Sequence, residues 1–385
     1  MKKHLLSAGI LFLAVFGLVA QNDCNNFYPQ VSPDGNYLYF VSDRNSEYYE
    51  IYRADIDGQS NLVRLIQSED DIFMFSLNPD GTKIVFQQGG YSSSAEIYIM
   101  NADGTGLTRL TNNSGFDGYP KFSPDGQTII FAAWDASPYP EIFTMNTDGS
   151  NRTQLTNEAG VYWQSEPTYH PSGEKIYFSE GFNADNYFVM MDLDGTNWVN
   201  ITEPNEFGYA ENGLQFNEDG SKIIFLTTEW VGYDNGSDLV MADSDGSNWT
   251  RLTHSENGEY FYFGTFNKFD DKIYYAYREY NGKFRIYKMD MDGSNSVQIS
   301  NCSGVGIDEN QEAGIGFIYP NPVSTQLKVN YEDDFMIEIF NLTGQIVLTS
   351  EESAIDVSML KSGLYFVILK DRLGNPVFHQ KIVKE

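Results

Sequence analysis

A unit of four strand-like segments recurs six times between about residues 27 and 302, and this repeat constrains the fold more than any other feature. Its clearest copy runs from Pro120 to Thr156. Phe122-Ser123-Pro124-Asp125-Gly126 leads an apolar residue into a Pro-Asp-Gly turn, which Gly closes at positive φ. Thr128-Ile129-Ile130-Phe131 and Glu141-Ile142-Phe143-Thr144-Met145 follow as β-branched and aromatic strands. A second tight turn falls at Asn146-Thr147-Asp148-Gly149, and Gln154-Leu155-Thr156 closes the unit. The second-turn glycine returns at 58, 104, 149, 195, 246 and 293, spaced 45 to 51 residues apart. The first turn keeps the same beat at Gly35, Gly81, Gly126, Gly173 and Gly220, with Asp270 in the sixth place.

One four-stranded sheet cannot bury both of its faces, so such units must stack, and a closed ring of twisted sheets leaves no long free edge. No helical periodicity competes with this pattern, so the expected class is all-β. Residues 21–303 read as a six-bladed β-propeller, with blades four and five starting at about Pro167 and Leu214. Residues 304–316 are polar, Gly-bearing and without period, as in a linker. Strand-like runs divided by turns then suggest a small Ig-like β-sandwich over 317–385.

Residues 1–20 read as a secretory signal peptide, Lys2-Lys3 followed by an apolar run from Leu5 to Ala20. No later stretch is long and apolar enough for a transmembrane segment. In an exported chain the two cysteines, Cys24 and Cys302, flank the two ends that a closed ring brings together, and they are read as one disulfide. The net charge of −30 falls almost wholly between residues 21 and 316. Such a surface repels phosphate backbones, which argues against nucleic acid as a partner.

The repeats resemble the propellers of the TolB periplasmic protein, of WD-repeat-like proteins and of the prolyl oligopeptidase group; Phe122 to Gly126, Glu141-Ile142-Phe143 and Gln154-Leu155-Thr156 carry the likeness. Neither the α/β domain of the first nor the hydrolase domain of the last is expected from these residues, so the contacts and chemistry of those domains are not carried over. The tail resembles the type A sorting domain of the type IX secretion system. The match rests on Tyr319-Pro320-Asn321-Pro322, on Asn341 and Gly344, on Gly363 and Tyr365, and on Lys381 and Lys384. That resemblance implies periplasmic transit, passage across the outer membrane by the type IX machinery, and a final place outside the cell or on its surface.

Chemistry is harder to place. No G-x-S-x-G elbow or phosphate-binding glycine loop occurs, and His170, His254 and His379 show no metal-ligand spacing, so no catalytic and no metal residue is assigned. The Asp-x-Asp-Gly turns, as at Asp192-Asp194-Gly195, resemble the opening of a calcium loop but lack its later acidic ligand. They read as self-capped turns, with calcium the one cofactor left open.

In antiparallel blades the first and third connections emerge on one face, here as near-uniform turns, and the second and fourth on the other. The variable loops include Ser42 to Tyr48, Ser179 to Asn186 and Ala276 to Lys283. On that face Trp134, Tyr139, Tyr162, Trp163, Trp230, Tyr233, Tyr260, Tyr277 and Tyr280 are ligand-binding candidates. They stand beside Asp135, Glu166, Glu229, Asp234, Glu259 and Glu279. Flat rings stack on sugars or anchor protein partners, and carboxylates accept hydroxyl or ammonium hydrogen bonds. The competing reading for each ring is packing between blades. The expectation is a secreted binding or interaction module for a glycan, peptide or surface protein. An enzyme using channel carboxylates on polysaccharide or peptide, and a structural surface component, are the alternatives.

Overall fold

The structure is a computed structural model that describes residues 24–44, 46–90, 95–134, 139–157, 163–182, 185–202, 209–228, 236–255, 258–300, 302, 317–319, 323–330, 335–341, 345–371 and 376–384. The proposed signal peptide and linker lie outside the described residues. Every regular element among the described residues is a strand, so the chain is all-β. It divides into two compact units, Met1–Gly304 and Val305–Glu385.

The first unit holds six four-stranded sheets, over residues 26–64, 72–109, 117–154, 163–200, 209–251 and 260–298. Within each sheet the strands lie side by side in chain order, each antiparallel to the next. The first strands touch one another in an unbroken cycle, and Asn26–Val31 of the first sheet meets Tyr260–Asn267 of the sixth. Second strands read as continuous apolar runs because neighbouring sheets cover both of their faces. Ile129 to Ala133, for example, are all fully buried. Leu38, Phe40 and Tyr52 of the first sheet share a core with Tyr274, Ile286 and Ile299 of the sixth.

The sequence markers have structural jobs at these junctions. A Cβ on Gly149 would lie 3.0 Å from the carbonyl oxygen of Leu110 in the preceding sheet, and one on Gly246 would overlap that of Ile201. On Gly58 it would lie 2.8 Å from the carbonyl oxygen of Ile299, so the same contact closes the ring. Only glycine, at positive φ and without a side chain, permits this approach. The hydroxyl residue that closes the Arg-Leu-Thr-like marker of the second to sixth sheets, threonine in four and Ser300 in the sixth, pins the third strand. Thr111 Oγ1 accepts the N–H of Ile97 at 2.9 Å and donates to buried Glu96, and Thr156 does the same for Ile142 and Glu141. Cys24 and Cys302 form a disulfide across the closure, with Cα atoms 5.6 Å apart, beside an Asn26 N–H to Phe284 carbonyl bond of 2.9 Å.

Several boundaries differ from the sequence reading. The first strands of the fourth and fifth sheets are Trp163–Tyr169 and Tyr209–Phe216, starting before Pro167 and Leu214. Both carry near their starts polar runs, Gln164-Ser165-Glu166 and Glu211-Asn212-Gly213, that have no strand signature. Ser179 to Asn186 is not a long loop, because the strands run on to Phe182 and resume at Asp185. In the sixth sheet's first turn the left-handed residue is Asp271, one later than the glycine position held by Asp270, whose carboxylate instead accepts the Tyr274 hydroxyl at 2.8 Å.

The second unit contains a three-stranded sheet, Phe317–Tyr319, Gln326–Asn330 and Ala354–Asp356, and a four-stranded sheet, Ile346–Ser350, Phe335–Phe340, Gly363–Asp371 and Pro376–Lys384. Both contribute to one core that includes Leu327, Ile355, Ile337, Ile339, Val367 and Leu369. Tyr365 is buried and donates its hydroxyl to the Lys361 carbonyl at 2.9 Å. Asn341 bonds Gln345 across a turn, and Gly363 and Lys384 pair at the sheet end. Lys381 lies on the last strand and Tyr319 on the first of this unit. Pro320, Asn321, Pro322 and Gly344 lie outside the described residues.

Candidate functional site

The aromatic candidates fall into two groups on the loop face. Trp134 and Trp163 meet edge to face with ring centres 5.0 Å apart. Trp134 also packs on Phe116 at 5.4 Å and is half-buried, whereas Trp163 is 40% exposed and free to meet a ligand. The Trp134 indole N–H is buried and has no hydrogen-bond partner among the described residues. In the sixth sheet Tyr260 lies under the Arg278 guanidinium, 4.5 Å from ring centre to carbon, and Tyr280 is 62% exposed. Tyr139 is half-buried at the loop end that precedes Glu141. Tyr162, Trp230, Tyr233, Asp135, Glu229 and Asp234 lie outside the described residues.

Two residues expected in loops lie on strands. Tyr277 belongs to the strand Lys272–Arg278 and packs between Phe261 and Tyr287, at 4.9 and 5.4 Å. Its hydroxyl donates to Glu259 at 2.7 Å, and burial together with that carboxylate pushes it well above the usual phenol range. It is a packing residue of the blade. Glu166 is no loop residue either, for it sits in the first strand of the fourth sheet at φ 51°.

On the opposite face the tight-turn acids are occupied by their own turns. Asp148 accepts the Ser150 N–H at 2.9 Å and its hydroxyl at 2.6 Å, and Asp103 and Asp245 repeat the pattern with Thr105 and Ser247. These bonds hold the three carboxyls below the usual range.

The centre of the ring holds what the sequence reading missed. All six first strands are bulged at one level. Seven residues before the first-turn glycine position stand Tyr28, Met74, Tyr119, Glu166, Gly213 and Phe263. Five before it stand Gln30, Ser76, Lys121, Thr168, Gln215 and Thr265. Members of all six sheets line one void in which the centre of a water-sized sphere ranges over about 30 Å³, room for about two waters. Each level carries a single charge, Glu166 in one and Lys121 in the other, from adjacent sheets. Glu166 Oε2 accepts the Gly213 N–H at 2.6 Å. Both side chains lie deep among protein atoms while part of each faces the void. Burial pushes Glu166 up to about 7 and Lys121 down to about 8, each opposed by the other's charge. Aligning the six repeats column by column would have exposed both residues, because no other repeat has a charge at either position.

Fold and tail together define an exported β-propeller protein. Residues 74–262 match the family model described as TolB beta propeller domain, and residues 317–385 match the secretion system C-terminal sorting domain. The chain thus carries both domains, and the type IX sorting signal directs it to the cell surface or the extracellular space. Among the described residues no helix is long and apolar enough to cross a membrane. The Tol-Pal system protein TolB of Francisella tularensis is 28% identical over 233 residues, 60% of this chain. The chain spans about half (51%) of that relative's length. The structure of TolB from Acinetobacter baumannii superposes with a TM-score of 0.56 at 20% identity, covering 72% of this chain and 64% of that one. A chain of a nidogen/laminin complex superposes at 0.51 with 13% identity, covering 71% and 92%. At such identities the structural likenesses establish the fold alone.

Proposed function

We propose that this exported propeller is a binding module whose loop face takes a glycan through Trp163. The observation that supports this most is the Trp134–Trp163 pair, in which a half-buried ring props an exposed one. An exposed ring offers a sugar an apolar face on which to stack. The acidic surface disfavours anionic polymers, which points to neutral glycans. Binding is favoured over catalysis because Glu166 is the one carboxylate among the described residues lining the channel void, while carboxylate hydrolysis of glycosides needs two. The sorting domain would serve delivery through the type IX machinery. The test is a glycan and peptide array probed with the secreted protein and its Trp163→Ala variant. Retention of neutral glycans, weakened by about 1–3 kcal/mol in the variant with an unchanged melting temperature, is expected. Peptides alone being retained, or equal binding by the variant, would overturn the reading.

A further inference from the structure

A second site, independent of the loop face, lies in the central channel. Lys121 is half-buried, lines the void, and has no hydrogen-bond partner among the described residues. Glu166 lines the same void and spends one oxygen on the Gly213 N–H, leaving the other without a described donor. The two residues feel each other's charge, yet no ion pair joins them. The Lys121 ammonium and the second Glu166 oxygen are thus both available to one molecule in the space between them, the first as a donor and the second as an acceptor.

We propose that the channel binds a neutral amide group, its carbonyl oxygen taken by the Lys121 ammonium and its N–H by the Glu166 carboxylate. Three features select that chemistry. The two wall charges cancel, so a ligand of either net charge would leave an uncompensated charge in a low-dielectric site. An amide carries an acceptor and a donor on one rigid plane, and its dipole of about 3.5 D aligns between a cation and an anion. The rings of Tyr28, Tyr119 and Phe263 at the bulge level supply an apolar wall for the attached carbon. Residues later in each first strand lie nearer the first turns, so the polar level with Gln30, Lys121, Gln215 and Thr265 lies on the tight-turn side of the bulge level.

Saturation-transfer NMR on the secreted full chain tests this with acetamide, and with acetate and methylammonium as charged isosteres. Acetamide is expected to give a saturable signal that the two ions do not match. At least a tenfold loss is expected in Lys121→Met and in Glu166→Leu, and none in Trp163→Ala, which separates this site from the loop face. If either channel variant fails to fold by circular dichroism, the wild-type ranking of the three probes decides alone. The absence of a saturable acetamide signal, an ion binding as tightly as acetamide, or unchanged binding in both folded channel variants overturns the proposal. N-acetylglucosamine and the peptide Gly-Gln-Gly then separate a glycan source of the amide from a peptide source.

Discussion

Replacing Glu166 by Gln should change how stability depends on pH more than it changes the fold. Burial raises the Glu166 carboxyl from 4.5 to about 7 in the folded chain, while in the unfolded chain it keeps the ordinary value. Between those values the native state holds a proton that the unfolded state has lost, so stability falls as pH rises through the window. A shift of that size corresponds to about 3 kcal/mol, fully lost above about pH 7. Lys121, down to about 8 when folded, is charged in both states across most of this window and adds little slope there. Turn carboxyls such as Asp34 and Asp125 are lowered below 3.8, so their contribution is lost only at more acidic pH. Asp117 and Asp238 are raised and titrate in the same direction as Glu166, which is why the difference between wild type and variant matters. The assay is urea unfolding at a series of pH values, followed by tryptophan fluorescence. All five tryptophans lie between residues 134 and 249, so the signal reports the propeller and not the tail. Wild type should lose up to about 3 kcal/mol relative to Glu166→Gln between pH 4.5 and 7. Parallel curves across that interval would refute the reasoning.

Gly246→Ala places a Cβ onto the Ile201 carbonyl at a backbone of φ 83°, and the urea midpoint should fall by the equivalent of about 1–3 kcal/mol or more. An unchanged midpoint would show that the neighbouring sheet yields freely there. Cys302→Ser removes a cross-link spanning 278 residues and should cost up to about 5 kcal/mol on the chain-entropy model. Non-reducing peptide mapping should recover the Cys24–Cys302 pair, and an equal melting point with and without reductant would count against its closing role. A chain ending at Gly304 should show the propeller's cooperative melt yet stay in the periplasm of its native host, and its efficient appearance in the medium would defeat the assigned address of the tail. Trp134→Ala, unlike Trp163→Ala, should lower the melting temperature along with glycan retention, because that ring packs on Phe116.

What the sequence determined by itself was everything that depends on local pattern and period. Pro-Asp-Gly and Asp-x-Asp-Gly turns, β-branched runs and the repeat spacing specify strands, turns and an all-β class, since these follow from backbone preferences and from faces that one sheet cannot bury. The tail's sorting character was legible for the same reason, as an ordered set of turn and strand residues. Bulges were not legible, because one extra residue shifts the side-chain alternation without any compositional mark, and the starts at Trp163 and Tyr209 were hidden by the polar runs Gln164-Ser165-Glu166 and Glu211-Asn212-Gly213. Side-chain environment was decided only in three dimensions. Trp134 and Trp163, 29 positions apart in the chain, became partners because two sheets are adjacent. Tyr277 turned from a surface candidate into a packing ring because a strand, and not a loop, carries it. Lys121 and Glu166 are ordinary charged residues in sequence, and only closure of the ring buries them around one void, where desolvation alters their chemistry.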